Sequence, residues 1–118
     1  MSYLSLRVEL RGAPMLTFVA PSSQFCIGSS AEAELLLVDA MIEPLHARIF
    51  NLLNTWWIEP ASSSAVILGT NRRRIRDASP LVLDEPIRIG PFAIRPRLAA
   101  RGVNRLARRL ASYRPGTR

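Results

Sequence analysis

Lysine is absent from this chain, and histidine and cysteine occur once each, as His46 and Cys26. A lone thiol cannot close an intrachain disulfide, so nothing in the sequence argues for an oxidising compartment. One histidine without a partner cysteine makes no recognisable zinc-ligand spacing, and no cofactor or metal is expected. No apolar run approaches the roughly 20 residues that a spanning helix needs. The first residues lack a basic stretch followed by an apolar one, so a secretory leader is not expected. Acidic residues are missing from residues 99–118. These absences together read as a soluble cytoplasmic domain.

What is present suits one domain. The chain has 118 residues, 48% of them hydrophobic, enough for a single core without metals or disulfides. Residues 1–98 hold ten arginines and all nine acids, whereas residues 99–118 hold six arginines and no acid. The formal charge of +7 therefore describes a nearly neutral domain, residues 1–98, carrying a basic tail. Cationic usage that is all arginine fits a GC-rich genome better than a demand for guanidinium chemistry.

The hydrophobic pattern is that of short strands divided by turn signals. Residues 3–10 alternate, with Leu4, Leu6, Val8 and Leu10 on one face and Ser5, Arg7 and Glu9 on the other. Further strands are expected over residues 16–20, 25–27, 35–38, 46–52, 56–59, 65–68, 81–83, 86–89 and 92–97, with residues 46–52 and 56–59 forming a hairpin. About ten or eleven such strands make an all-β sandwich of two antiparallel sheets. No βαβ rhythm appears. Adjacent Trp56 and Trp57 must point to opposite faces, one into the core and the other either exposed or covered by the tail. In the tail, Leu98, Val103, Leu106, Leu110 and Tyr113 fall near one side of a helix expected over residues 103–112, and Arg101, Arg105, Arg108 and Arg109 fill the rest.

Two segments carry most of the information: Phe25-Cys26-Ile27-Gly28-Ser29-Ser30 and Ile42-Glu43-Pro44-Leu45-His46-Ala47. With Leu35-Leu36-Leu37-Val38-Asp39, Trp56-Trp57-Ile58-Glu59 and the run from Leu81 to Gly90, their order and spacing resemble a forkhead-associated (FHA) domain over most of the chain. The resemblance implies a β-sandwich that binds phosphothreonine through a Gly-Arg pair and a Ser placed three residues before a structural His. Here Gly28 and His46 match, but Ser29 stands at the Arg position and Glu43 at the Ser position. Ser29 offers no charge, and Glu43 sets a carboxylate where a phosphate dianion would sit. Like unit charges about 4 Å apart repel by roughly 4 kcal/mol at an effective dielectric near 20. Pro44 stands where the family usually has Arg and lacks a backbone donor. The family's Ser-x-Asn-Gly-Thr loop appears as Ser63-Ser64-Ala65-Val66-Ile67, without the amide that holds the peptide. The resemblance therefore implies a former phosphopeptide edge at Ser29, Glu43, Arg48, Ser64 and Arg72 to Arg74, with phosphothreonine peptide disfavoured as a partner.

Within that family, the Phe-x-Ile-Gly-Ser and Ile-x-Pro-Leu-His blocks are similar to the cytoplasmic N-terminal domain of the YscD-like inner-membrane ring protein of bacterial type III secretion systems. This implies protein partners: other copies of itself around a ring, and cytosolic secretion-apparatus proteins. It also implies a position at the cytoplasmic face of the inner membrane, which the arginine-rich tail suits. Other readings stay open. Arg72, Arg73 and Arg74, with Arg76, read as a solvated hairpin tip or a contact for an acidic partner, and with Arg48 they could replace the missing guanidinium in a free-standing phosphopeptide-binding domain. The tail can pack on the domain, meet an anionic membrane surface or, least in keeping with the motifs, bind nucleic acid. No grouping of nucleophile, acid and base emerges, so an enzyme is not expected.

Overall fold

The computed structural model describes residues 2–61, 64–100 and 112–113. In chain order the strands are β1 (Ser2–Leu10), β2 (Ala13–Val19), β3 (Gln24–Gly28), β4 (Leu35–Leu37), β5 (Ala47–Leu52), β6 (Thr55–Pro60), β7 (Val66–Leu68), β8 (Arg73–Ile75), β9 (Ser79–Pro80), β10 (Ile87–Ile89), β11 (Phe92–Ala100) and β12 (Ser112–Tyr113). They form two six-stranded sheets, ordered β2-β1-β11-β10-β7-β8 and β12-β4-β3-β5-β6-β9. The first sheet is antiparallel throughout. The second departs from the expected pattern, because β4 runs parallel to both β3 and β12. So short a parallel connection is possible because β4 starts beside the end of β3, with Ile27 opposite Leu35. The chain has no length of strand to retrace.

The alternation read from the sequence is the alternation that builds the core. Leu4, Leu6, Val8, Ile87, Ile89, Phe92 and Ile94 from the first sheet meet Phe25, Ile27, Leu35, Leu37, Ile49 and Ile58 from the second, all buried. Each such side chain contributes about 1.5–3 kcal/mol by leaving water. Trp56 packs against this core, its ring 6.4 Å from that of Phe25, while Trp57 lies on the opposite face, half-buried. Pro96 is tolerated in a central strand because β10 pairs only with residues 92–94 of β11.

Four expectations are corrected. Residues 81–83 are not a strand: the pairing falls earlier, at Ser79–Pro80 against Trp57 and Ile58, and the chain then turns through Asp84 at φ +68°. Arg73 and Arg74 are not a hairpin tip but belong to edge strand β8, with the turn at residues 69–72. β11 runs to Ala100, three residues past the strand end expected at residue 97. Of the helix expected over residues 103–112, Ser112 lies instead in β12; the remainder, including Arg101, Arg105, Arg108 and Arg109, falls outside the described residues. Among the described residues, no helix is long and apolar enough to cross a membrane.

The β5–β6 hairpin closes through Leu53 at φ +53° and Asn54 at φ +64°, the primed geometry that a two-residue loop requires. Asn tolerates that conformation, whereas a leucine there is strained by about 1–2 kcal/mol. Leu53 is also 90% exposed, so it recovers nothing by burial. Replacing it, Leu53→Asn, is expected to stabilise the domain by about 0.5–1 kcal/mol, read as a higher urea midpoint at unchanged slope.

Candidate functional site

The loops after β3 and before β5 meet backbone to backbone. Ser29 and Ser30 donate their amides to the carbonyls of Glu43 and Pro44, at 3.0 and 3.2 Å, and the His46 amide donates to Ile27 at 2.7 Å. This close approach explains Gly28: a Cβ there would collide with the Pro44 carbonyl oxygen. No side chain fits. The next loop is braced from below, since the Asp39 carboxylate accepts from the Met41 amide at 2.9 Å and the Asp39 carbonyl accepts from the Ile42 amide at 3.0 Å.

His46 is buried at 2% exposure. Its Nδ1 accepts from the Glu43 amide at 3.1 Å, and its Nε2 stands 2.8 Å from the Ala65 carbonyl oxygen. An acceptor role at one nitrogen and a carbonyl at the other assign the neutral, Nε2-protonated tautomer. The ring therefore links the loop that feeds β5, in the second sheet, to the residue that precedes β7, in the first. Both ring nitrogens are engaged by backbone.

Ser29 has no donor left to offer a ligand. Its hydroxyl donates to the Ile42 carbonyl at 2.9 Å, and its amide is held by Glu43. Glu43, whose backbone carbonyl takes that bond, is itself exposed. Ser64 is buried one residue before Ala65, its amide donating to Ala61 at 2.8 Å. Ser29, Glu43, Ser64, Gly28 and His46 are thus brought together at one end of the sandwich.

The arginines are not. Arg48 lies on the outer face of the second sheet, donating to Glu59 at 3.0 Å and to Gln24 at 3.3 Å, with its guanidinium carbon 4.4 Å from the centre of the Phe50 ring. Gln24 is at the far end of β3 from Gly28, so Arg48 reaches away from the loops. β7 carries the chain from Ala65 to the turn at residues 69–72, about 13 Å along the strand. Arg72 and Arg73 therefore sit toward the opposite end, Arg73 beside Leu81, Val82 and Glu85 on a cavity of about 190 Å³. The sequence reading also missed the carbonyls of Ile42, Pro44 and Ala65, which organise the site. Backbone acceptors leave no residue-type signature.

Cys26 lies beside Arg48 across the β3–β5 pair, its amide held by the Glu34 carboxylate at 2.8 Å. Burial pushes the thiol above its ordinary range and the Glu34 charge adds to this, with Arg48 opposing. Among the described residues no group of three or more His, Cys, Asp or Glu side chains could hold a metal ion.

The FHA domain family matches residues 25–90, so this chain belongs to the FHA family. No curated protein sequence matches it. The FHA domain of the CT664 protein from Chlamydia trachomatis is 25% identical, with a TM-score of 0.69 over 84% of this chain and 98% of that one. An FHA domain of an Arabidopsis thaliana hypothetical protein shares 20% identity and a TM-score of 0.73, covering 88% of this chain and 92% of its own. Mycobacterium tuberculosis EmbR, solved with a low-affinity phosphopeptide, gives 21% identity and a TM-score of 0.74 over 88% of this chain, which spans 26% of EmbR. FHA domains are protein–protein interaction modules.

Two outcomes test this geometry. Gly28→Ala is expected to destabilise the domain by about 2–3 kcal/mol in denaturant titration, because backbone rather than a flexible side chain must give way. Iodoacetamide is expected to alkylate Cys26 several-fold more slowly at neutral pH than a free cysteine peptide, measured by mass spectrometry.

Proposed function

We propose that this domain is a non-enzymatic assembly module, an FHA fold without phosphothreonine recognition, serving as a structural part of a type III secretion inner-membrane ring. One observation carries the loss of phosphate reading: both Ser29 donors are bonded to backbone carbonyls of the neighbouring loop, at Ile42 and Glu43. Phosphate recognition needs charge-assisted donors, best supplied by a guanidinium. Arg48 is engaged by Glu59, Gln24 and Phe50, which supports the same reading. The contacts would be made by loops and sheet edges, with other copies of the chain and with cytosolic secretion-apparatus proteins, at the cytoplasmic face of the membrane. The narrower assignment rests on the Gly28-Ser29 and Ile42-to-His46 blocks. Genes for secretion-apparatus components beside its own would support that assignment, and their absence counts against it.

The rival reading, a phosphopeptide-binding signalling domain, draws on the phosphopeptide held by EmbR. The two are separated by titrating the domain with a degenerate phosphothreonine peptide library and its unphosphorylated counterpart, followed by fluorescence anisotropy. Equal affinities are expected. A tenfold preference for the phosphorylated library, about 1.4 kcal/mol, overturns the proposal.

A further inference from the structure

The end of the sandwich farthest from His46 has a composition of its own. β5 runs six residues away from His46 before reaching the hairpin tip, about 20 Å along the strand. At that tip Leu52 and Leu53 are 55% and 90% exposed. The turn after β9 reaches the same end: the Leu81 amide donates to Trp56, at the start of β6, and the Asp84 amide donates to Pro96. It presents Val82 and Leu83, each about half exposed. Leu98, also half exposed, lies two residues beyond Pro96 on β11. Five of the eight large apolar side chains exposed among the described residues are therefore gathered at one pole.

Charged groups flank these side chains, the acids Asp84 and Glu85 among them. Arg72 and Arg73 arrive by the turn after β7, and Arg97 projects from β11, paired with Asp84 at 3.1 Å. β11 ends here, Ala100 opposite Ser2, and the sequence continues into a segment with six arginines and no acid.

We infer that this pole docks on an anionic lipid surface, Leu52 and Leu53 entering the acyl boundary while the arginines meet headgroups. The inference rests on the reading above in one respect, that the domain works at a membrane. Two observations favour a bilayer over a protein partner. Leu53, Val82 and Leu83 stand on turns and Leu52 at a strand end, with Leu98 alone inside a strand, and Leu53 is held in a left-handed conformation with no packing in return. A soft interface accepts such protrusions without a matching pocket, and binding there grows with inserted apolar area and with basic charge. Arg72, Arg73, Arg97 and the six arginines that follow Ala100 outnumber Asp84 and Glu85, which supplies the charge complementarity.

The test is co-sedimentation of the full chain with vesicles of phosphatidylcholine alone and with a third of phosphatidylglycerol. Binding is expected only to the anionic vesicles. The double variant Leu52→Ser with Leu53→Asn, whose turn suits Asn better than Leu, is expected to lose at least tenfold in partition while keeping its thermal transition. Val82→Ser with Leu83→Ser is expected to lose binding similarly, whereas Arg105→Gln, Arg108→Gln and Arg109→Gln together lose less. The inference is overturned if wild type ignores both vesicles, if it binds both equally, or if the leucine variants bind as wild type does. The phosphothreonine titration reads a different end of the molecule, so the loss of phosphate reading and the lipid docking can fail separately.

Discussion

Everything at the recognition end depends on one close approach, the Pro44 carbonyl resting where Gly28 has no side chain. That contact lets Ser29 and Ser30 bond the carbonyls of residues 43 and 44, and it brings His46 between the two sheets. The imidazole then fastens the loop before β5 to Ala65 ahead of β7. Two sheets held mainly by apolar packing, which is non-directional, gain a fixed relative placement from this polar clasp. The imidazole is buried and both of its nitrogens are bonded.

A fold can be kept while its ligand chemistry is removed because the two use different atoms. The frame here is built from backbone carbonyls and amides, a glycine and a neutral imidazole. Phosphate reading in this family needs side-chain donors and positive charge on top of that frame. On the proposed reading, Ser29 and Glu43 stand in place of those groups while the frame is kept and the Ser29 donors turn inward.

Much of this was legible in the sequence. Alternation in residues 3–10, the Gly28 and His46 blocks and the Trp56–Trp57 pair identified strands, core and loops correctly, since period-two burial is imposed by the pleat. Edges and ends were less legible. Arg73-Arg74-Ile75 pairs as a strand although its composition suggests a solvated turn, because a single buried Ile75 opposite Val66 is enough to set a three-residue edge. Residues 81–83 read as a strand from three apolar side chains, yet a turn at Asp84 exposes two of them. Which arginines reach the loops could not be read at all. Arg48 is two residues from His46 in sequence, but strand geometry aims it along the outer face toward Glu59 and Gln24.

His46 is the sole histidine, and its ring spans the gap between the sheets. Its imidazole nitrogen resonances are therefore a one-site spectroscopic reporter, free of overlap from any other histidine. Slippage of one sheet against the other must alter that signal, so the integrity of the sandwich can be followed from a single pair of nuclei.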